Sequence, residues 1–208
     1  MWKSNPDGGP ERLMALADGV FAIAITLLVL DFYVPRGLDD AHYHHALHEL
    51  VPNLGAYALT VLVLGAFWRE HRRIFRLVRQ IDGQVITLSI LGLGVAALLP
   101  FPTKLIAEYG REPESVASYA GAVAALGAAH LALILVLARR PWLRDGAEPP
   151  EGFRLFALDL AMTVLVFALS VPLALTVGST AMWFWLVLAP IKVTLGRRAR
   201  ARARARSR

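Results

Sequence analysis

Apolar stretches long enough to cross a bilayer recur along this chain, and no other feature limits its fold as strongly. A spanning helix takes about 20 mostly apolar residues. Six segments read as candidates: 12–34, 51–74, 83–107, 115–138, 155–177 and the shorter 180–195, which contains Pro190. Hydrophobic residues make up 56% of the 208, and the mean hydropathy is +0.51, so lipid rather than water is the expected solvent. Backbone polar groups in lipid must be satisfied within the segment, which makes these runs helices. The longest polar connections, about 35–50 and 139–154, leave no room for a soluble domain. The first apolar run exceeds a signal-peptide core and lacks a small-residue cleavage pattern. The expected fold is an all-α integral membrane protein with six transmembrane helices per subunit. It forms one unit over 1–208, with a short basic tail from about 196.

Charge orients the bundle, because loops rich in Lys and Arg stay on the cytoplasmic side. With both termini inside, the inner segments hold 19 basic residues, including the five arginines from Arg69 to Arg79 and the tail RRARARARARSR, against Arg36, Lys104 and Arg111 outside. Seven acids, among them Asp31, Asp39, Asp40 and Glu49, fall outside. A net charge of +6 would raise nucleic acid as a partner for a soluble chain. Here the basic residues follow the membrane bias, so anionic lipid is the expected partner of the tail and nucleic acid is not. The expected location is the cell inner (plasma) membrane, crossed several times.

The segment RLMALADGVFAIAITLLVLDF is the most informative. At 100° per residue, Ile23, Leu27 and Leu30 fall within about 60° of one another with Thr26 beside them, while Asp18 lies about 140° from Ile23. One face is apolar with a threonine, and the other begins with a carboxylate. An ionisable residue inside a span is costly and needs a partner. The inner end of the second segment, FWREHRRIF, offers Trp68, His71 and Arg72. Arg12, Asp18, Trp68 and His71 can form one polar network; alternatively, Trp68 and His71 are interfacial belt residues.

These residues resemble the first-helix signature of the endosomal and lysosomal potassium channel family (transmembrane protein 175), in its single-repeat prokaryotic branch. Arg12 and Asp18 stand at the spacing of the family's Arg and of the Asp in its Phe-Ser-Asp, with Leu16 in place of the Phe and Ala17 in place of the Ser. FWREHRRIF is similar to its Trp-x-x-His-x-x-x-Phe stretch, and LLPFPTKLIAEYG to its Pro-Phe-Pro-Thr. The resemblance implies a homotetramer with a central pore lined by the first helix. It further implies a hydrophobic constriction at Ile23, apolar rings at Leu27 and Leu30, and Thr26 near the path. Arg12, Asp18, Trp68 and His71 would support the pore structurally, with one link lost at Ala17. Permeant monovalent cations, K+ first, are the implied partners, with no cofactor. Since no TVGYG-like carbonyl filter occurs, weak discrimination against sodium is expected.

Other functions have less to rest on. A proton-coupled secondary transporter would use Asp18 or His71 as a protonation site, but Pro100, Pro172 and Pro190 do not pair as broken helices of matching halves. No nucleophile and base pair, metal triad or phosphate loop points to an enzyme. There is no cysteine. Among the histidines of HYHHALH (His42, His44, His45, His48), His44 with His48 or His45 with His48 have spacings that suit a metal on a helix, yet a solvated amphipathic turn explains them better, and no metal site is expected.

Overall fold

The computed structural model describes residues 9–144 and 150–188. Its described elements are helical. Helix α1 (Pro10–Leu27) starts with a proline at its first position, where the missing N–H costs nothing, and tightens into a 3-10 turn over Leu28–Asp31. Helix α2 (Asp40–Phe75) runs for 36 residues, about 54 Å at 1.5 Å per residue, and so outreaches a hydrocarbon core of roughly 30 Å. It begins eleven residues before the apolar run at Val51. The segment expected to be a turn is therefore helix, because Asp39 caps it by accepting the His42 N–H at 2.9 Å.

The third apolar segment is broken in two. Helices α3 (Gly83–Leu98) and α4 (Pro100–Tyr109) meet at Leu99, where Pro100 and Pro102 have no N–H to continue the ladder. Helix α5 (Pro113–Arg139) is the most enclosed span. A stripe including Val116, Tyr119, Val123, Leu126, His130, Leu133 and Leu137 is buried along its whole length. It packs chiefly on α6 (Pro150–Val177) and α3. Gly127 permits the closest approach: a Cβ there would lie 2.9 Å from Val164 Cγ2 and 3.6 Å from Phe67 Cζ. In lipid, where apolar surface alone does not drive helices together, small residues of this kind let neighbouring helices gain dispersion contact.

Among the described residues, five stretches are long and apolar enough to cross a membrane: Pro10–Leu30, Asp40–Phe75, Gly83–Tyr109, Pro113–Arg139 and Phe153–Val187. The expected sixth span, 180–195, lies within the described residues only as far as Leu188. Gly178, at φ +71°, turns the chain after α6, and 3-10 turns over Gly178–Val187 lie back against that helix. Trp185 Nε1 donates to Ser170 Oγ at 3.1 Å, whereas one continuous helix would separate these residues by roughly 22 Å. Trp185 also packs on Tyr119 and Phe167, so the indole fills the bundle, while Trp183 remains exposed. Pro190, Lys192 and the basic tail lie outside the described residues.

At the end of the bundle that carries the arginines, two connections are tied together. Arg79 and Gln80 donate their N–H groups to the Leu143 carbonyl at 2.8 and 3.2 Å. Asp82 caps α3 through the Val85 N–H at 2.9 Å and forms an ion pair with Arg140 at the end of α5. Nearer the opposite end, the buried Thr60 hydroxyl meets Thr103 Oγ1 at 2.9 Å and the Tyr119 hydroxyl at 3.1 Å, linking α2, α4 and α5. Hydrogen bonding of this kind satisfies hydroxyls that would otherwise be costly to bury.

Candidate functional site

Helix α1 separates two environments. Leu13, Ala17, Phe21, Ala24 and Leu28, at spacings of four, four, three and four, are buried against the rest of the subunit. On the other side Leu16, Ile23, Leu27 and Leu30 are bare, with Ile23 60% and Leu30 75% exposed in the single subunit. Leu16, Ile23 and Leu30 recur every seven residues, the period that keeps one seam on a straight line between neighbouring helices. An apolar seam with so little cover from its own subunit has to meet lipid or other copies of the chain. Beside it, the Thr26 hydroxyl donates to the Ile23 carbonyl at 2.9 Å, so its proton is used within the helix while its lone pairs remain available.

Ala17 sits on the buried face with no accessible surface. A methyl fills this position by packing alone. Leu16, on the outward side, is 49% exposed.

At the arginine-bearing end of α1, Asp18 accepts a hydrogen bond from the Trp68 indole at 2.7 Å, joining α1 to α2. The Arg72 guanidinium lies over the same indole, 5.0 Å from the ring centre. Arg12 is exposed and, among the described residues, has no carboxylate within ion-pair distance. His71 does not join this group. It belongs to the buried stripe Thr60, Leu64, Phe67, His71 and Ile74, whereas Trp68 is turned about 100° from Phe67 and so reaches α1. The His71 ring stacks on Phe75 at 4.6 Å and faces Phe21 at 6.2 Å and His130 at 5.3 Å. Neither of its ring nitrogens has a hydrogen-bond partner among the described residues.

His130 on α5 bonds the Leu126 carbonyl through Nδ1 at 2.9 Å and packs on Phe67. Sequence reasoning placed no contact between His71 and His130. The signal available was that each histidine occupies an otherwise apolar stripe at helical spacing.

The histidines at the start of α2 are exposed. His42 pairs with Asp39 at 2.7 Å and His45 with Glu49 at 3.6 Å. The His42 backbone N–H, and after it the His42 ring, hold the Asp39 carboxyl below the usual carboxylate value. Among the described residues no group of three or more His, Asp or Glu side chains is arranged to hold a metal.

Residues 12–100 match the family described as endosomal/lysosomal potassium channel TMEM175. A potassium channel of Streptomyces collinus is 36% identical over 167 residues, covering 78% of this chain and 81% of that protein. The chain belongs to the TMEM175 family. A second relative, a potassium channel of Chamaesiphon minutus, is 38% identical over 106 residues, about half of each chain. The match to the family thus includes α1, α2 and α3, the helices that carry the Asp18–Trp68 contact and the apolar seam. In three dimensions the chain is similar to a lysosomal potassium-selective channel TMEM175 homolog from Chamaesiphon minutus, with a TM-score of 0.70 and 27% identity over 86% of this chain and 97% of that one. The all-helical architecture with five candidate spans is therefore that of a TMEM175 channel.

Proposed function

We propose that the protein is a passive potassium channel: a homotetramer in the cell inner membrane, both termini inside, with α1 of each subunit lining a central pore. The observation that carries this reading is the bare seam of Ile23, Leu27 and Leu30 on the helix that holds the family signature. One helix per subunit cannot enclose a water path, and a seam that its own subunit leaves uncovered suits a symmetric assembly around an axis. Ile23 forms the narrowest ring, Leu27 and Leu30 continue the apolar wall, and Thr26 offers its lone pairs beside the path. Such a constriction acts through pore width and the cost of dehydrating the ion, and it discriminates weakly between potassium and sodium. Asp18 and Trp68 brace α1 against α2 at the inner end. K+ is the permeant species, and no cofactor takes part.

A proton-coupled carrier working through Asp18 and His71 has less support, because Asp18 bonds Trp68 at the subunit surface while His71 lies among aromatic rings. The two readings diverge in liposomes reconstituted with the purified protein under a potassium gradient. A channel gives gradient-driven potassium flux that persists when a protonophore collapses any proton gradient. Transport that saturates with potassium and stops on adding the protonophore would replace the channel reading with the carrier.

A further inference from the structure

At the inner end of the subunit, α1 and α2 form a cleft of about 370 Å³ with no assigned role. Its lining divides by chemistry. Glu11 and Asp18 on α1 supply two carboxylates, Arg72 and Arg76 on α2 supply two guanidinium groups, and Met14 and Phe75 are among the apolar residues between them. The arginines are one helical turn apart and the acids two turns apart, so each helix presents a single sign of charge. Among the described residues none of the four forms an ion pair. Two of them are held in place by Trp68, which bonds Asp18 and carries Arg72 over its ring. The cleft therefore displays two positive and two negative groups across an apolar floor, at the depth where α1 begins and α2 ends.

We propose that this cleft binds a phospholipid with a primary-amine zwitterionic headgroup, such as phosphatidylethanolamine, in the leaflet at the inner end. The phosphate lies against Arg72 and Arg76, whose forked N–H donors match its oxygens. The ammonium donates to Glu11 and Asp18, and the glycerol and first acyl carbons cover Met14 and Phe75. Phosphatidylglycerol satisfies the arginines but offers the carboxylates only neutral hydroxyl groups in place of a cation. Phosphatidylcholine has a cation with no N–H to donate, so the acids gain attraction without hydrogen bonds. The apolar share of the lining favours a lipid over a soluble phosphate compound. Glu11 and Asp18 lie roughly 120–140° around α1 from Ile23, so the cleft is on a different side of the helix from the apolar seam. Lipid binding is accordingly separable from conduction.

Native mass spectrometry of the delipidated full-length protein tests this with dioleoyl phosphatidylethanolamine, phosphatidylcholine and phosphatidylglycerol at equal concentration. Wild type retains phosphatidylethanolamine about fivefold more than either other lipid, the discrimination expected of one well-placed, partly exposed ion pair. Glu11→Gln reduces that preference over phosphatidylglycerol, and Arg76→Gln weakens retention of all three lipids. Both residues lie outside the proposed pore set, and unchanged oligomeric state and melting without lipid establish that the variants fold. Equal retention of the three lipids, or a phosphatidylethanolamine preference that survives both substitutions, overturns the proposal. Preference for phosphatidylglycerol on wild type also overturns it and identifies a simple cationic surface. Displacement of the lipid by free phosphoethanolamine overturns the lipid assignment in favour of a soluble ligand.

Discussion

Ile23→Asn is expected to raise potassium flux through the reconstituted protein by about tenfold, equivalent to removing about 1.4 kcal/mol from the permeation barrier. The physical reason is dehydration. In the proposed pore a ring of isoleucine side chains would offer a passing ion no polar contact, whereas an asparagine amide of similar size would replace part of the lost hydration. Ile23 is 60% exposed in the single subunit, so its replacement removes little packing within the subunit, and size-exclusion chromatography should give the wild-type oligomer. Selectivity for potassium over sodium should fall in the same variant, since a wetter constriction asks less dehydration of either ion. Flux assays of both ions over matched gradients read the two effects together. Unchanged flux in a correctly assembled Ile23→Asn protein would remove this residue from the ion path.

The second large effect concerns the packing that holds the subunit. Gly127→Leu should destabilise it by about 1–3 kcal/mol, the usual cost of forcing extra volume into a packed interior. Even a bare Cβ at Gly127 would stand 2.9 Å from Val164 Cγ2, with Phe67 Cζ at 3.6 Å. Valine has little freedom to move aside, so α5 and α6 must separate. Loss of dispersion contact between these helices then spreads through the pairing that dominates the core. Gly94→Ala is the matched control: its Cβ would meet nothing within 4 Å, and the helix should gain about 0.5–1 kcal/mol from the added side chain. Thermal unfolding of the two variants in detergent should therefore move in opposite directions. A Gly127→Leu protein that melts with wild type would mean that α5 and α6 are not held at the separation seen here.

What could be read from the sequence follows the physics of each signal. Ile23, Leu27 and Leu30 share a face by helical spacing alone, and the structure leaves that face bare. Asp18 had to find a partner in lipid, and Trp68, one of three candidates at the facing end of α2, is the one it bonds. His71 was a candidate for the same reason, but the stripe running from Thr60 to Ile74 turns it into the core, and only its place among apolar neighbours hinted at that. The helix start at Asp40 was hidden because hydropathy registers only the apolar part of α2, while the cap at Asp39 extends the helix through a polar stretch. The break at Leu99 was signalled by Pro100 and Pro102, yet an unbroken apolar run obscured it. Trp185 lies near the end of the last apolar run, where a tryptophan is ordinarily read as an interfacial residue. Its position suits a membrane interface, but the turn at Gly178 brings it back onto Ser170, a contact that no local pattern encodes.

The absence of cysteine makes one measurement especially direct, because Ile23→Cys introduces the sole thiol of the chain. A water-soluble, positively charged thiol reagent applied to conducting Ile23→Cys channels should reach the sulfur and stop potassium flux, since a fixed cation in the narrowest ring repels the permeant one. Leu62→Cys, at a position on α2 that is 73% exposed in the subunit, should leave flux untouched under the same treatment. Block at position 23 with none at position 62 is the result a pore lined by α1 predicts. Full modification of Ile23→Cys, verified by mass, with potassium flux unchanged would contradict it.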